Sequence, residues 1–300
     1  MEHVKKLIVV VGPTAVGKTA VAIALAKHFQ TEIVSADSRQ IFRELNIGTA
    51  KPTGAELEQV PHHFINSHSI REAYDAAQYG HDALEVIHRL FERHNEVVLC
   101  GGSGLYVKAV CEGFDDIPEV PAQIREELSA TYERDGIEGL QVLMKEHDPQ
   151  LYATIDQKNP HRLMRALEVK LGTGLSIASF RKKNTLQHPF TIVKIGLTLP
   201  REALYERIDR RMDHMVEAGL FAEAEALYPL RAINALQTVG YQEIFDFMEG
   251  KYDREEAVRL LKRNSRRYAK RQLTWFTRDP QVQWFGPAEV EKIIEVVKNA

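Results

Sequence analysis

The residues with the clearest chemical content are Gly12-Pro13-Thr14-Ala15-Val16-Gly17-Lys18-Thr19, which fit the pattern G-x-x-x-x-G-K-[ST]. In that pattern backbone N–H groups wrap phosphate oxygens at a helix N-terminus, the lysine reaches the terminal phosphate, and the last hydroxyl is offered to Mg²⁺. Gly12 and Gly17 let the backbone turn in tightly. The loop thus reads as a phosphate or nucleotide site, ATP included, without specifying a nucleoside triphosphate. An ordinary NTPase would add a second apolar strand ending in a Mg²⁺-binding aspartate. The best such strand, Val97 to Cys100, runs into Gly101 instead. Asp37, after Ile33-Val34-Ser35-Ala36, is the remaining carboxylate, open to use as a metal ligand, a base or an N-cap.

The elements that must position these groups follow from periodicity. Leu7 to Val11 is a continuous β-branched run bounded by Gly-Pro, as expected of a strand buried on both faces of a parallel sheet. From Lys18 through Phe29 apolar residues recur at three and four, which predicts a helix. Further strands are expected at Glu32–Ala36, Glu96–Cys100 and Phe190–Leu199, and long helices at Arg201–Leu227 and Arg254 to about Phe276. The fold class is therefore α/β, a phosphate-loop parallel sheet flanked by helices, with ligands at the carboxyl ends of the strands. After Phe114 the linker-like Asp115 to Pro121 leads into successive amphipathic helices. Residues 115–198 are accordingly expected to be a helical insertion, with residues 1–114 and 199–300 forming the catalytic core.

Composition narrows the class further. Three hundred residues with 44% hydrophobic and 27% charged content exclude disorder and a minimal scaffold. The formal charge of −3 excludes a general polycation, so any nucleic-acid footprint must be local. Cys100 and Cys111 fit no zinc spacing and no disulfide framework. No apolar run suits a signal peptide or membrane span, so a cytoplasmic protein without a membrane partner is expected. His62, His63 and His68 lack the partners of a zinc site.

Several stretches then converge: Asp37-Ser38-Arg39-Gln40 with Ile47 to Pro52, Gly101-Gly-Ser103-Gly-Leu-Tyr106, and Arg162 to Val169. With Arg207-x-x-x-Arg211-Met212, Gly219-Leu220, Val239-Gly240-Tyr241-Gln-Glu243 and Tyr268 to Phe276, order and spacing over nearly the whole chain resemble the tRNA dimethylallyltransferase, or tRNA isopentenyltransferase, family. The resemblance implies transfer of a dimethylallyl group from dimethylallyl diphosphate to N6 of the adenosine beside the anticodon, with Mg²⁺ as cofactor and the tRNA anticodon stem-loop as partner. It makes Gly12 to Thr19 the diphosphate loop, with Thr19 also a Mg²⁺ ligand. Asp37 resembles the general base, and Arg211 an arginine that reaches the diphosphate. Ser103 stands for a threonine, Phe42 for a tyrosine and Asn66 for an aspartate of the family pattern.

The same resemblance assigns tRNA contact to Asp37, Ser38, Arg39, Gln40, Ser103, Arg125, His161, Arg162, Arg165, Gly240, Tyr241, Arg267, Lys270 and Arg271. The charge pattern agrees in part: Arg259 to Arg278 carries eight basic residues and no acid. Tyr268, Trp275 and Phe276 interleave with them, at a spacing that suits packing. A second basic stretch includes Lys158, Lys170 and Arg181 to Lys183. Arg207, Arg210 and Arg211 alternate with Glu206, Asp209 and Asp213, which by itself reads as a solvated salt-bridge face. A monomer is expected. A small-molecule kinase using ATP, or an RNA-binding nucleotide switch, would also use the loop but would leave Asp37 to Gln40 without a purpose.

Overall fold

The structure, a computed structural model, describes residues 4–180 and 186–300. Along the chain lie β1 (Lys6–Val11), α1 (Lys18–His28), β2 (Ile33–Ser35), α2 (Gly54–Leu57), β3 (His62–His63), α3 (Ala76–Phe91), β4 (Glu96–Gly101) and α4 (Gly104–Cys111). They are followed by α5 (Ala122–His147), α6 (Pro149–Tyr152), α7 (Pro160–Thr173), β5 (Thr191–Leu197), α8 (Arg201–Glu217) and α9 (Leu220–Leu227). The chain closes with α10 (Gln242–Met248), α11 (Arg254–Phe276), β6 (Gln283–Phe285) and α12 (Val290–Asn299). Two compact units result: residues 1–113 with 187–300, and residues 114–186.

The first unit is a six-stranded sheet in the order β3-β2-β4-β1-β5-β6, with every pairing parallel. Because successive strand residues face opposite sides, β1 feeds two cores at once. Ile8 and Val10 pack with Leu25 of α1, Leu204 and Ile208 of α8, and Ile293 of α12. Leu7, Val9 and Val11 pack with Tyr79 and Ile87 of α3, Val110 of α4, and Phe276 of α11. A third cluster joins Ile41 and Leu45 to Met212, Tyr241, Ile244 and Leu261.

Close backbone approach fixes where the strands end. A Cβ built at Gly101 would lie 2.0 Å from the Ala36 carbonyl oxygen. Gly101→Ala is expected to cost about 3 kcal/mol or more, since backbone on a central strand has to move. Denaturant unfolding of the purified variant measures this; wild-type stability would show that the strand ends can part freely.

Two boundaries differ from the sequence expectation. The helical unit ends at Leu186 and not at residue 198, because Thr191–Leu197 pairs with β1 from Lys6↔Thr191 to Val11↔Gly196 and belongs to the sheet. The helix expected over Arg201–Leu227 is two helices: Gly219, with φ 103°, breaks it after α8 and starts α9. The pairs β2–β3 and β5–β6 are short edges that periodicity alone does not reveal. The second unit packs α5, α6 and α7 around Leu128, Leu140, Met144, Leu163 and Leu167. Within it α5 is kinked at Gly136, whose φ is 66°.

Candidate active site

At the carboxyl end of β1 the chain turns through positive φ at Gly12 (147°), Ala15 (65°) and Gly17 (109°) before α1 begins. Only glycine fits at position 12, where a Cβ would meet the Leu197 carbonyl oxygen at 2.6 Å. No side chain caps α1 and no acid occupies its first turn, so its leading N–H groups are available to an anion. Lys18 lies across the loop and donates from Nζ to the carbonyls of Gly12 (3.1 Å) and Pro13 (2.9 Å). Burial of its ammonium pulls the pKa from 10.5 down to about 8, against the opposing pull of Cys100 and Asp37.

Asp37 follows β2 at the same end of the sheet. Its Oδ1 accepts from the backbone N–H of Arg39 (2.9 Å) and Gln40 (3.2 Å), so one oxygen caps the turn. Among the described residues Oδ2 accepts no hydrogen bond, and Asp37 lines the cleft with Lys18 and Thr19. The N-cap and base readings are thus compatible, one oxygen for each. Ser103, 9% exposed, steadies the turn from the next strand end: its Oγ accepts from the Ser38 N–H (2.9 Å) and donates to Ser38 Oγ (3.1 Å). Gln40 spends its amide on the carbonyls of Thr49 (3.1 Å) and Ala50 (3.0 Å), which holds the turn to the following loop.

From the other side α8 supplies arginines. Arg211 donates through Nη2 to Thr14 Oγ1, and burial lowers its pKa although it remains a cation. The solvated-face reading holds for Arg210, which pairs with Glu206 at 3.5 Å with both side chains exposed, but not for Arg211. Arg207, which the charge pattern places on the same solvated face, also lines the cleft and reaches Gly17, whose Cβ would lie 3.6 Å from Nη2. Gln272 on α11 bonds to both Thr14 and Gly102. The signal for it was a polar residue on the buried stripe Leu261, Ser265, Ala269, Phe276. The cleft these groups enclose has a volume of about 780 Å³.

The arrangement sets cations and an open helix N-terminus in one cleft with a carboxylate that has one unengaged oxygen. The profile described as IPP transferase matches residues 40–279. The chain belongs to the IPP transferase family. It is 53% identical over 294 residues to a tRNA dimethylallyltransferase of Cytophaga hutchinsonii, covering 98% of this chain and 97% of that one. The tRNA dimethylallyltransferase of Christiangramia forsetii is 49% identical over 96% and 95% of the two chains. Among solved structures, the tRNA isopentenylpyrophosphate transferase of Bacillus halodurans superimposes with a TM-score of 0.71 at 41% identity, over 98% of this chain and 95% of that one. A eukaryotic dimethylallyltransferase captured acting on tRNA gives 0.75 at 26% identity, over 90% and 69%.

The remaining residues with expected roles lie on α11, in the helical unit and around Tyr241. On α11, Arg259 pairs with Glu256, Lys262 with Asp213 (2.6 Å) and Arg266 with Asp209, so part of the basic run is spent internally. Arg267, Lys270, Arg271 and Arg278 are exposed and make no ion pair among the described residues. Of the aromatics, Phe276 is core, and Trp275, 40% exposed beside these cations, packs its indole against Gly104, where a Cβ would lie 2.3 Å from Nε1. In the helical unit His161, Arg162 and Arg165 are exposed on α7. Arg125 and Arg165 both bond to Glu168, itself 2% exposed, so each also neutralises a buried carboxylate. Arg181, Lys182 and Lys183 lie outside the described residues.

Tyr241 departs from the expected RNA contact. Its ring is buried and its hydroxyl donates to Glu223 Oε1 (2.7 Å). Glu223 also accepts the N–H groups of Asn46, Ile47 and Gly48 at 2.8–3.1 Å, which seats the loop that holds Gln40. The Gly240 N–H is likewise engaged, by Glu243 Oε2 (2.9 Å). Burial of both residues sets them apart from the RNA contact that the resemblance implies. Tyr241→Phe is expected to cost about 1 kcal/mol of stability, one hydrogen bond, with tRNA affinity unchanged. Weakened RNA binding at full stability would return Tyr241 to the interface. At the family departures, Phe42 is buried, and Asn66 Oδ1 accepts from Lys51 Nζ (2.5 Å), so the amide oxygen serves where a carboxylate was expected.

Proposed function

We propose that this chain transfers a dimethylallyl group from dimethylallyl diphosphate to N6 of the adenosine next to the tRNA anticodon, releasing diphosphate. The observation that carries the reading is the convergence of Lys18, Arg211, the open α1 N-terminus and Asp37 on one cleft. The diphosphate sits on the unspent N–H groups of the Gly12–Thr19 loop at the start of α1. As the allylic C–O bond breaks, the charge developing on the leaving group is met by those donors, Lys18, Arg211 and Arg207. Adenine N6 is a poor nucleophile; Asp37 Oδ2 accepts its proton as the C–N bond forms, while Oδ1 keeps the turn in place.

Mg²⁺ fits the donor set. It binds through one or two hard oxygens plus substrate phosphates and keeps several waters. The Thr19 hydroxyl supplies such an oxygen in the cleft, and no cluster of three His, Cys, Asp or Glu among the described residues offers a self-sufficient cage. Thr19 would hold the ion, which when bound adds positive charge beside the diphosphate.

For the RNA, Arg267, Lys270 and Arg271 on α11, and His161, Arg162, Arg165 and Arg125 in the helical unit, act as phosphate contacts. Asp37 and Gln40 line the cleft into which the target base flips, with Ser38, Arg39 and Ser103 beside them in the turn. In this reading the chain works as a monomer in the cytoplasm. Among the described residues no helix is long and apolar enough to cross a membrane. The test is incubation with Mg²⁺, dimethylallyl diphosphate and unmodified tRNA, followed by nucleoside mass spectrometry beside an ATP-consumption assay. A five-carbon adduct on adenosine is expected. ATP turnover without the adduct would overturn the reading.

A further inference from the structure

We infer that Gln272 is a positioning residue that locks the Gly12–Thr19 loop to the Gly101–Ser103 turn and so sets the shape of the diphosphate cradle. This rests on the reading of that loop as the diphosphate site. Gln272 is 6% exposed, on the buried stripe of α11. Its Oε1 accepts from the Thr14 N–H (2.8 Å), and its Nε2 donates to the Gly102 carbonyl (3.0 Å). Both ends of one amide are thus committed to backbone groups on two different strand-end loops. The fit is mutual, because a Cβ at position 102 would lie 2.3 Å from Nε2.

Two consequences follow for the cradle. The Thr14 N–H is spent on Gln272 and the Val16 N–H on the Pro13 carbonyl (3.4 Å), so the backbone donors left for the phosphate are those of Ala15 and of Gly17 to Thr19, beside the Thr14 hydroxyl, which accepts from Arg211 and keeps its own O–H to donate. Beyond Gly102, Ser103 holds the backbone of Ser38 directly after Asp37. One side chain therefore ties the donor cradle to the turn that bears the carboxylate. No other residue type does both jobs. Glutamate lacks the donor and would set an oxygen against the Gly102 carbonyl, leucine lacks both functions, and asparagine is one methylene short.

The test measures binding of inorganic diphosphate by calorimetry and steady-state kinetics with dimethylallyl diphosphate, in wild type, Gln272→Leu and Gln272→Glu. Diphosphate binding is expected to weaken about tenfold or more, as when a preorganised anion site loses its geometry, with KM for the donor rising in parallel and tRNA affinity unchanged. Gly102→Ala should reproduce the defect by displacing the amide, and the double variant Gln272→Leu/Gly102→Ala should be no worse than either single change. A merely structural role would lower stability and leave the folded molecules with wild-type diphosphate affinity. That result, or additive losses in the double variant, overturns the inference. If Gln272→Leu does not fold, Gln272→Asn carries the same test. A wild type whose diphosphate affinity depends on Gln272 yet yields no adduct on tRNA would sink the proposed function and leave this inference standing. A wild type that fails to bind diphosphate would sink both.

Discussion

Replacing Asp37 by asparagine should lower turnover about a thousandfold, within the range for removal of a general base, without weakening tRNA binding. Asparagine is the informative change because the two oxygens have different work. The amide oxygen can still accept from the N–H groups of Arg39 and Gln40, so the turn and its bond from Ser38 to Ser103 persist. What is lost is the second oxygen's ability to take a proton. Asp37→Ala removes both functions and should abolish chemistry with some added loosening of the 37–40 turn. Single-turnover assays with saturating tRNA, beside equilibrium RNA binding, separate the two effects. Full turnover in the asparagine variant would remove Asp37 as the base and leave it a turn cap.

Lys18→Met should lower kcat/KM for dimethylallyl diphosphate by about a hundredfold or more, the scale of losing one preorganised donor to a developing oxyanion. Its pH dependence has a defined sign. Burial holds the Lys18 pKa at about 8, so the ammonium is lost as pH rises through that value. Diphosphate requires the charged form, and donor affinity should therefore fall above about 8 in the wild type; the methionine variant should lack this step. For folding the sign is opposite. An unfolded lysine keeps its proton up to its ordinary value of 10.5, so the folded chain binds fewer protons between about 8 and 10.5. The stability cost of the buried ammonium is in full force below about 8 and is relieved as pH rises through that window. Denaturant titrations of the free protein check the second effect and diphosphate titrations the first. A donor affinity flat across the window would mean that Lys18 does not carry the charge the site uses.

Local order was legible in the chain because it has local causes. A β-branched run followed by two glycines, a lysine and a periodic helix is a strand, an anion loop and a helix whatever surrounds it, and β1 and α1 lie where that logic puts them. The matched motifs likewise placed Lys18, Thr19, Asp37 and Arg211 as candidates before any geometry was known, and the fold draws all four into one cleft. The tertiary structure alone decided which polar residues are free to act. Arg211 leaves its salt-bridge face because the Gly12–Thr19 loop packs against α8, Tyr241 turns inward onto Glu223, and α11 spends part of its charge on acids of α8. Gln272 could not be assigned from spacing, since its partners Thr14 and Gly102 lie on separate loops far from it in sequence. Burial and pairing between distant segments are properties of the folded chain, whereas glycine spacing and apolar period are properties of the local one.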